Sequence, residues 1–275
     1  MRTRVSIAVA LVSVTLLAWS GAVIAAIAAP VPAADRSLAP SEYIARGMPA
    51  HDRDWMSDDY ERAAAVLKAL AADDPATLPR RASSRSGLLF ARMTSTRNLE
   101  LLHTPGLDVQ QRLGVAVPLF QELNEVLAVY VSASREDAVL DAELVDLLNL
   151  TLRATLDLVG IADAFFESLP RDDPKRKARL DGRDQMRAGM ASIVDGSLTT
   201  LTEHGMYHSS ELERLARGLQ EVLPRLLPSL PPGARQEIPV RLERMISDEP
   251  DAAFRVHLQA IASALRARTG QSPPA

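Results

Sequence analysis

The 25 residues from Val5 to Ala29 contain no charged side chain, and they constrain the chain more than any other feature. A run of about 20 apolar residues is long enough to cross the hydrocarbon core of a bilayer as a helix. Arg2 and Arg4 precede the run. Basic residues beside an apolar helix favour a cytoplasmic N-terminus, so the positive-inside rule predicts that the chain after about residue 35 is exported.

The segment has two fates that the sequence leaves open. The apolar region of a cleaved signal peptide usually spans only about 7 to 15 residues, and this one is longer. Cleavage patterns nevertheless exist, with Ser20 and Ala22, or Val31 and Ala33, at three residues and one residue before the cut. Residues 1–33 are therefore either a signal peptide or an N-terminal membrane anchor, and the length of the run favours the anchor.

Charge and cysteine content exclude several classes of function. Without Arg2 and Arg4, 29 basic residues stand against 35 acidic ones, so the exported part has a formal net charge of −6. Nucleic-acid binding requires a basic surface, and no nucleic-acid partner is expected. The absence of cysteine removes disulfides, thiolate metal sites and cysteine nucleophiles. Abundant Ala, Leu and Arg with little Lys is typical of a GC-rich bacterial genome, which indicates the periplasm.

Periodicity and helix-stop residues predict an all-α fold without convincing strands. Residues 34–56 are predicted to be a flexible tether, because they contain scattered charges and helix breakers. The alternative is that part of this segment docks on the domain through Tyr43, Ile44, Met48, Trp55 and Met56. Residues 57–269 are predicted to form the helical exported domain, as a multi-helix bundle or as stacked helical hairpins, and 270–275 a disordered tail. Within the domain, we expect helices over 136–169 and 174–204 to form an antiparallel pair at the centre.

The most basic polar stretch of the exported part runs from Leu78 to Gly87 and reads LPRRASSRSG. It ends at the start of a predicted helix over 88–93. Guanidinium groups, hydroxyls and backbone amides at the start of a helix suit an anion such as phosphate. The alternative is a solvated loop in which a serine caps the helix. The candidate anion site consists of Arg80, Arg81, Arg85 and Ser86.

A line of polar residues follows the predicted helix over 136–169 at steps of three, four and four residues. That spacing places the side chains on one face of a helix, within pairing distance of one another. The line is a binding groove or acid–base site, or it is an ion-pair ladder whose members satisfy each other, or a stripe that faces solvent. Its members are Asp146, Asn149, Arg153 and Asp157.

Gly182, Gly189 and Gly196 recur every seven residues in the predicted helix over 174–204, so they lie along one seam of that helix. Glycine costs about 1 kcal/mol relative to alanine in a helix interior. Three glycines in register therefore predict a helix-packing seam at which another backbone approaches closely.

His204 and His208 lie four residues apart, with Glu203 and Glu211 beside them. Histidine and carboxylate ligands suit zinc, so the two histidines are the candidate metal ligands. Gly205 and the serines after His208 predict a turn here, however, and the alternative is a pair of histidines that interact with helix ends.

No motif in the chain specifies a reaction. We expect an exported helical protein that acts without a cofactor as a non-catalytic interaction or scaffold domain of the bacterial cell envelope. Its expected partners are the inner membrane, through Val5 to Ala29 if uncleaved, and an envelope protein. A helical bundle that binds a small molecule or a lipid is one alternative, and an enzyme without a recognisable short motif is another.

Overall fold

The computed structural model describes residues 38–49, 53–135 and 139–269. These residues form α-helices, short 3₁₀ turns and loops, and they contain no strand, which confirms the all-α prediction for the described part of the chain. The apolar run from Val5 to Ala29 lies outside it. None of the described helices is long and apolar enough to span a membrane. The chain divides into two compact units between Leu169 and Pro170.

The N-terminal unit consists of six helices in its described part. They are α1 (Pro40–Ala45), α2 (Ser57–Asp73), α3 (Gly87–Met93), α4 (Arg97–Glu100), α5 (Val109–Arg135) and α6 (Asp141–Ser168). The long helix α5 packs against both α2 and α6. Helix α5 is continuous although Pro118 lies inside it.

The buried apolar residues of helix α6 cover an arc of its surface that is too broad to pack against a single helix. Leu147, Leu152 and Leu158 are fully buried, although they do not share one narrow stripe of the helix. The N-terminus of α6 also differs from our prediction, because the helix begins at Asp141 instead of 136.

Part of the predicted tether belongs to the folded unit. Tyr43 in α1 is completely buried, and Trp55 is 3% exposed. Arg92 of α3 holds the segment by donating hydrogen bonds to the carbonyl oxygens of Gly47 and Pro49, at 2.6 and 2.9 Å. Gly47 has φ of +60°, and a Cβ there would lie 2.9 Å from the Leu88 side chain, so the turn requires glycine. The tether prediction is therefore wrong for 40–49, because apolar side chains within it have a core to enter.

The C-terminal unit consists of four helices in its described part, namely α7 (Arg176–Thr200), α8 (Ser209–Leu226), α9 (Pro232–Asp248) and α10 (Ala252–Thr269). Helices α8 and α10 form the main pair, and α9 also packs against α10. Helix α8 buries Leu212, Leu215 and Leu219 at three- and four-residue steps while its charged residues face outward.

The expected central pair of helices is not the centre of the fold. Helix α6 packs chiefly against α5, and the boundary between the units falls between α6 and α7. The expectation is wrong because the apolar arc of α6 shows that the helix is buried but does not identify its partner.

Candidate functional site

The loop from Leu78 to Gly87 is ordered by its own serines. The Ser83 hydroxyl accepts hydrogen bonds from the backbone amides of Arg85 and Ser86, both at 3.2 Å. The Ser86 hydroxyl in turn accepts a hydrogen bond from the amide of Arg80, also at 3.2 Å. The loop amides that were expected to face an external anion are therefore used within the loop.

Another backbone amide of the loop, that of Arg81, binds a carboxylate of the same chain. The amide of Arg81 donates a 2.7 Å hydrogen bond to Glu143, a residue of α6 that is 6% exposed. Next to it, the buried Tyr130 hydroxyl donates to the carbonyl oxygen of Pro79 at 2.8 Å. Burial, and secondly the negative charge of Glu143, raise the pKa of Tyr130 well above its ordinary value. The loop does bind an anion, but that anion is Glu143.

The guanidinium groups of the loop also contact the protein. Arg80 donates to the carbonyl oxygen of Val139 at 3.0 Å, and Arg81 lies 3.9 Å from a carboxylate oxygen of Asp146. Arg85 is exposed. Two sets of candidate residues that are far apart in the sequence thus meet at Arg81 and Asp146. Binding of an external anion here stays a prediction, and the loop geometry does not add to it.

The polar line on α6 is a half-buried stripe with a basic neighbour at each end. Asp146 and Asp157 each retain 23% side-chain exposure. Asp146 is near Arg81, and Asp157 lies 3.3 Å from Nε2 of His103. Asn149 and Arg153 are also half-buried. The acids at both ends lie beside basic side chains from other segments. This favours a role in ion pairs over a role as an acid–base site.

Replacing Glu143 with leucine should destabilise the N-terminal unit by about 2 kcal/mol, because the amide of Arg81 loses a charged acceptor in a buried place. Glu143→Gln keeps an acceptor oxygen and should retain most of the stability. Urea unfolding gives the free energies, and hydrogen exchange of the Arg81 amide reports the loop directly. Equal protection of that amide in both variants would show that Glu143 does not hold the loop.

The glycine seam of α7 is not uniform. A Cβ added at Gly182 would meet no atom within 4 Å apart from its own helix, so no close approach requires glycine there. Gly189 and Gly196 are both buried. The packing-seam prediction is therefore wrong at Gly182 and stays a prediction for the other two positions.

His204 and His208 lie in different local settings. Nε2 of His204 is 2.8 Å from a carboxylate oxygen of Glu249, whereas His208 occupies the N-cap position of α8. Residues 38–49, 53–135 and 139–269 contain no group of three or more His, Asp or Glu side chains placed to hold a metal ion. Metal binding stays a prediction without support from this geometry.

The Glu249 carboxylate that contacts His204 is fixed in the turn between α9 and α10. Glu249 is 5% exposed, and its second oxygen accepts a hydrogen bond from the Asp251 amide at 2.9 Å. Arg255 donates to the Glu249 carbonyl oxygen. The buried ring of Phe254 contacts the imidazole edge-to-face, with 5.0 Å between centroids. His204 is thus oriented by a buried carboxylate and an aromatic ring.

His204 and Glu249 line a cleft of about 630 Å³, which we call the α9 cleft. Leu201, Thr202, Pro250 and Leu258 also contribute to its walls. One face of α9 supplies Glu237, Val240, Arg241, Arg244, Met245 and Asp248.

Some charges of the α9 cleft are neutralised within the unit and others are not. Arg241 pairs with Asp195 and donates to the Thr199 hydroxyl at 2.7 Å. Arg244 and Asp248 are exposed and have no hydrogen bond or ion pair through their side chains with the described residues, and the same is true of Glu237. The cleft therefore offers unpaired groups of both signs beside an apolar surface.

Two carboxyl groups of the described residues are found to have a raised pKa, and they belong to different units. Burial is the main cause for both Glu122 in α5 and Glu203 after α7, and neighbouring acids, Glu61 first, add to it at Glu122. One belongs to each unit. They do not form the pair of perturbed acids in one cleft that an acid–base enzyme requires.

No protein-family model, curated protein or solved structure matches the chain. The site is therefore interpreted from its own geometry. Sequence reasoning singled out His204 but missed Glu249 and the α9 face. A signal was present, since Asp248, Glu249 and Pro250 form an acidic turn, which we interpreted only as a helix stop.

Proposed function

We propose that this chain is a non-catalytic binding protein of the bacterial cell envelope and that its C-terminal unit holds a small ligand in the α9 cleft. The observation that carries the proposal is the cleft itself. Its volume of about 630 Å³ falls within the range of about 300 to 1,000 Å³ that is typical of small-molecule sites. Val240, Met245 and Leu258 supply apolar contact, and Arg244 and Asp248 supply polar groups.

Binding is favoured over catalysis by the state of the charged groups. The His204 imidazole is held by Glu249, and Arg241 is held by Asp195. The two acids whose pKa is raised lie in separate units. An enzyme would need a nucleophile or a pair of acids converging on one point, and the ion pairs of His204 and Arg241 keep these two side chains of the cleft from such a role.

The proposal includes export to the periplasm, for which the run from Val5 to Ala29 between Arg4 and Pro30 is the support. In this proposal an uncleaved run anchors a multi-helix bundle or stacked hairpins to the inner membrane, within reach of an envelope protein. Intact mass from fractionated cells tests this part. A full-length chain that resists alkaline washing of membranes supports the anchor, and a soluble chain starting near Val23 or Ala34 contradicts it.

Filling the cleft should abolish binding without unfolding the protein. Val240 and Val256 are both 60% exposed and lie on neighbouring helices, but only Val240 lines the cleft. We expect Val240→Trp to weaken binding of the neutral fluorescent probe N-phenyl-1-naphthylamine about tenfold, because the indole ring takes the space of the probe. Val256→Trp should leave binding unchanged. Fluorescence titration gives the affinities, and thermal melting shows that both variants are folded.

A further inference from the structure

The unpaired charges of the α9 cleft are arranged along one helix. Arg244 and Asp248 are four residues apart on α9, so they are neighbours on the same face. The structure shows no ion pair between them. Both side chains are therefore available to a ligand in the cleft.

The third unpaired group lies farther along the same face. Glu237 is seven residues before Arg244, a rise of about 10 Å at 1.5 Å per residue. The cation thus stands between two acids. A ligand with only negative charge would meet Glu237 and Asp248, and a ligand with only positive charge would meet Arg244 beside the already paired Arg241.

The apolar part of the cleft lies beside these charges. Val240 is 60% exposed although it is apolar, and it supplies the accessible apolar surface, whereas Met245 and Leu258 belong to the wall but are 8% and 1% exposed. A ligand that places an apolar group here removes exposed apolar surface from water, which favours binding by about 25 cal/mol for each Å².

Together these features define a ligand class. We infer that the α9 cleft binds a short apolar peptide with free ends, its carboxylate at Arg244 and its ammonium group at Asp248 or Glu237. This inference rests on the function proposed above and specifies its ligand. The charged ends of a dipeptide are about 6 Å apart, because consecutive Cα atoms are separated by 3.8 Å, and this is close to the distance of about 5–6 Å between the Cβ atoms of residues at i and i+4. A tripeptide reaches the longer spacing from Arg244 to Glu237.

Four forms of one peptide test the inference by calorimetry on the protein as recovered from cells. They are Leu-Leu, its C-terminal amide, its N-acetyl form and the form capped at both ends. We expect Leu-Leu to bind about fivefold more tightly than either singly capped form, because each cap removes one ion pair with an exposed side chain of the cleft. The doubly capped form should bind most weakly. Equal affinity of all four forms would overturn the inference.

Variants assign each end of the peptide to its residue. With Arg244→Gln, Leu-Leu and its amide should bind equally, since the group that recognises the carboxylate is gone. With Asp248→Asn, the preference for a free ammonium group should shrink or disappear. Arg235→Gln is the matched control, because Arg235 is exposed on the same helix but does not line the cleft. A loss of preference in this control would overturn the assignment.

Failure of the inference and failure of the proposed function give different results. If no form of the peptide binds while Val240→Trp still blocks the fluorescent probe, the cleft is a binding site and the peptide assignment is wrong. If Val240→Trp and Val256→Trp bind the probe like the unmodified protein, the α9 cleft is not a binding site and both proposals fall.

Discussion

Asn98→Ala is expected to lower the free energy of unfolding by about 3 kcal/mol, because one buried side chain satisfies three groups at once. Asn98 is 3% exposed. Its side-chain oxygen accepts a hydrogen bond from the backbone amide of Trp55 at 3.0 Å. Its side-chain nitrogen donates hydrogen bonds to the Tyr60 hydroxyl at 2.8 Å and to the Arg92 carbonyl oxygen at 2.9 Å. Alanine leaves the Trp55 amide without an acceptor in the interior, where an unmade hydrogen bond is costly.

The same change should release the segment around Trp55 from the N-terminal unit. In a Trp19→Phe background, Trp55 is the only tryptophan, so a red shift of its emission reports exposure of the indole. Asn124→Ala is the control, since the Asn124 amide donates only to the Phe120 carbonyl oxygen within its own helix. Urea unfolding should show a loss below about 1 kcal/mol for the control. Similar losses for both variants would contradict a linking role for Asn98.

Local chemistry made the helices predictable from the sequence. Asp108 and Gln111 have the three-residue spacing of a capping box, and they form its reciprocal hydrogen bonds of 2.8 and 2.9 Å. The carboxylate of Asp251, directly before α10, accepts a hydrogen bond from the backbone amide of Ala253 at 2.8 Å, as expected of a residue at a helix start. Such contacts join residues within one turn of each other, so the pattern that encodes them is contiguous.

The pairing of helices was not predictable in the same way. The apolar arc of α6 correctly indicated burial on several sides, but α5 and α7 are both amphipathic neighbours in the sequence. Choosing between them depends on packing over the whole unit, which no local pattern records. The tether failed for a related reason, because the docking of Tyr43 and Trp55 requires a core built from residues that follow them.

The candidate sites show the same limit. Arg81 and Glu143 were each visible in the sequence, but the hydrogen bond that makes Glu143 the anion of the loop joins segments 62 residues apart. In the α9 cleft, the His204 imidazole is held by Glu249, which lies in a turn distant in the sequence. A lone histidine in a sequence suggests metal binding or a helix end equally well, and only the fold supplies its carboxylate partner.

Stability should decrease steeply above pH 10, by about 2.7 kcal/mol for each pH unit, because two tyrosines ionise only when the chain unfolds. Tyr60 and Tyr130 are completely buried, and burial is the main cause that raises the pKa of each above the ordinary value of 10.0. Above about pH 10, each of the two phenols therefore keeps its proton in the folded state and has lost it in the unfolded state. The stabilisation is complete below about pH 10 and is lost as the pH rises towards the folded-state pKa.

Urea unfolding between pH 9 and pH 11 measures this slope, and phenylalanine variants identify its source. Tyr60→Phe and Tyr130→Phe each lose a hydrogen bond to a carbonyl oxygen, of Met93 and Pro79 respectively, which lowers stability by a similar amount at every pH. Each variant should also remove one of the protons that distinguish the folded from the unfolded state, so its slope should be about 1.4 kcal/mol per pH unit smaller than that of the unmodified protein. Tyr43, Tyr207 and the three lysines of the chain titrate in the same range, so the decrease caused by each variant identifies the contribution of its phenol. A slope that both variants share with the unmodified protein would show that the two phenols are not its cause.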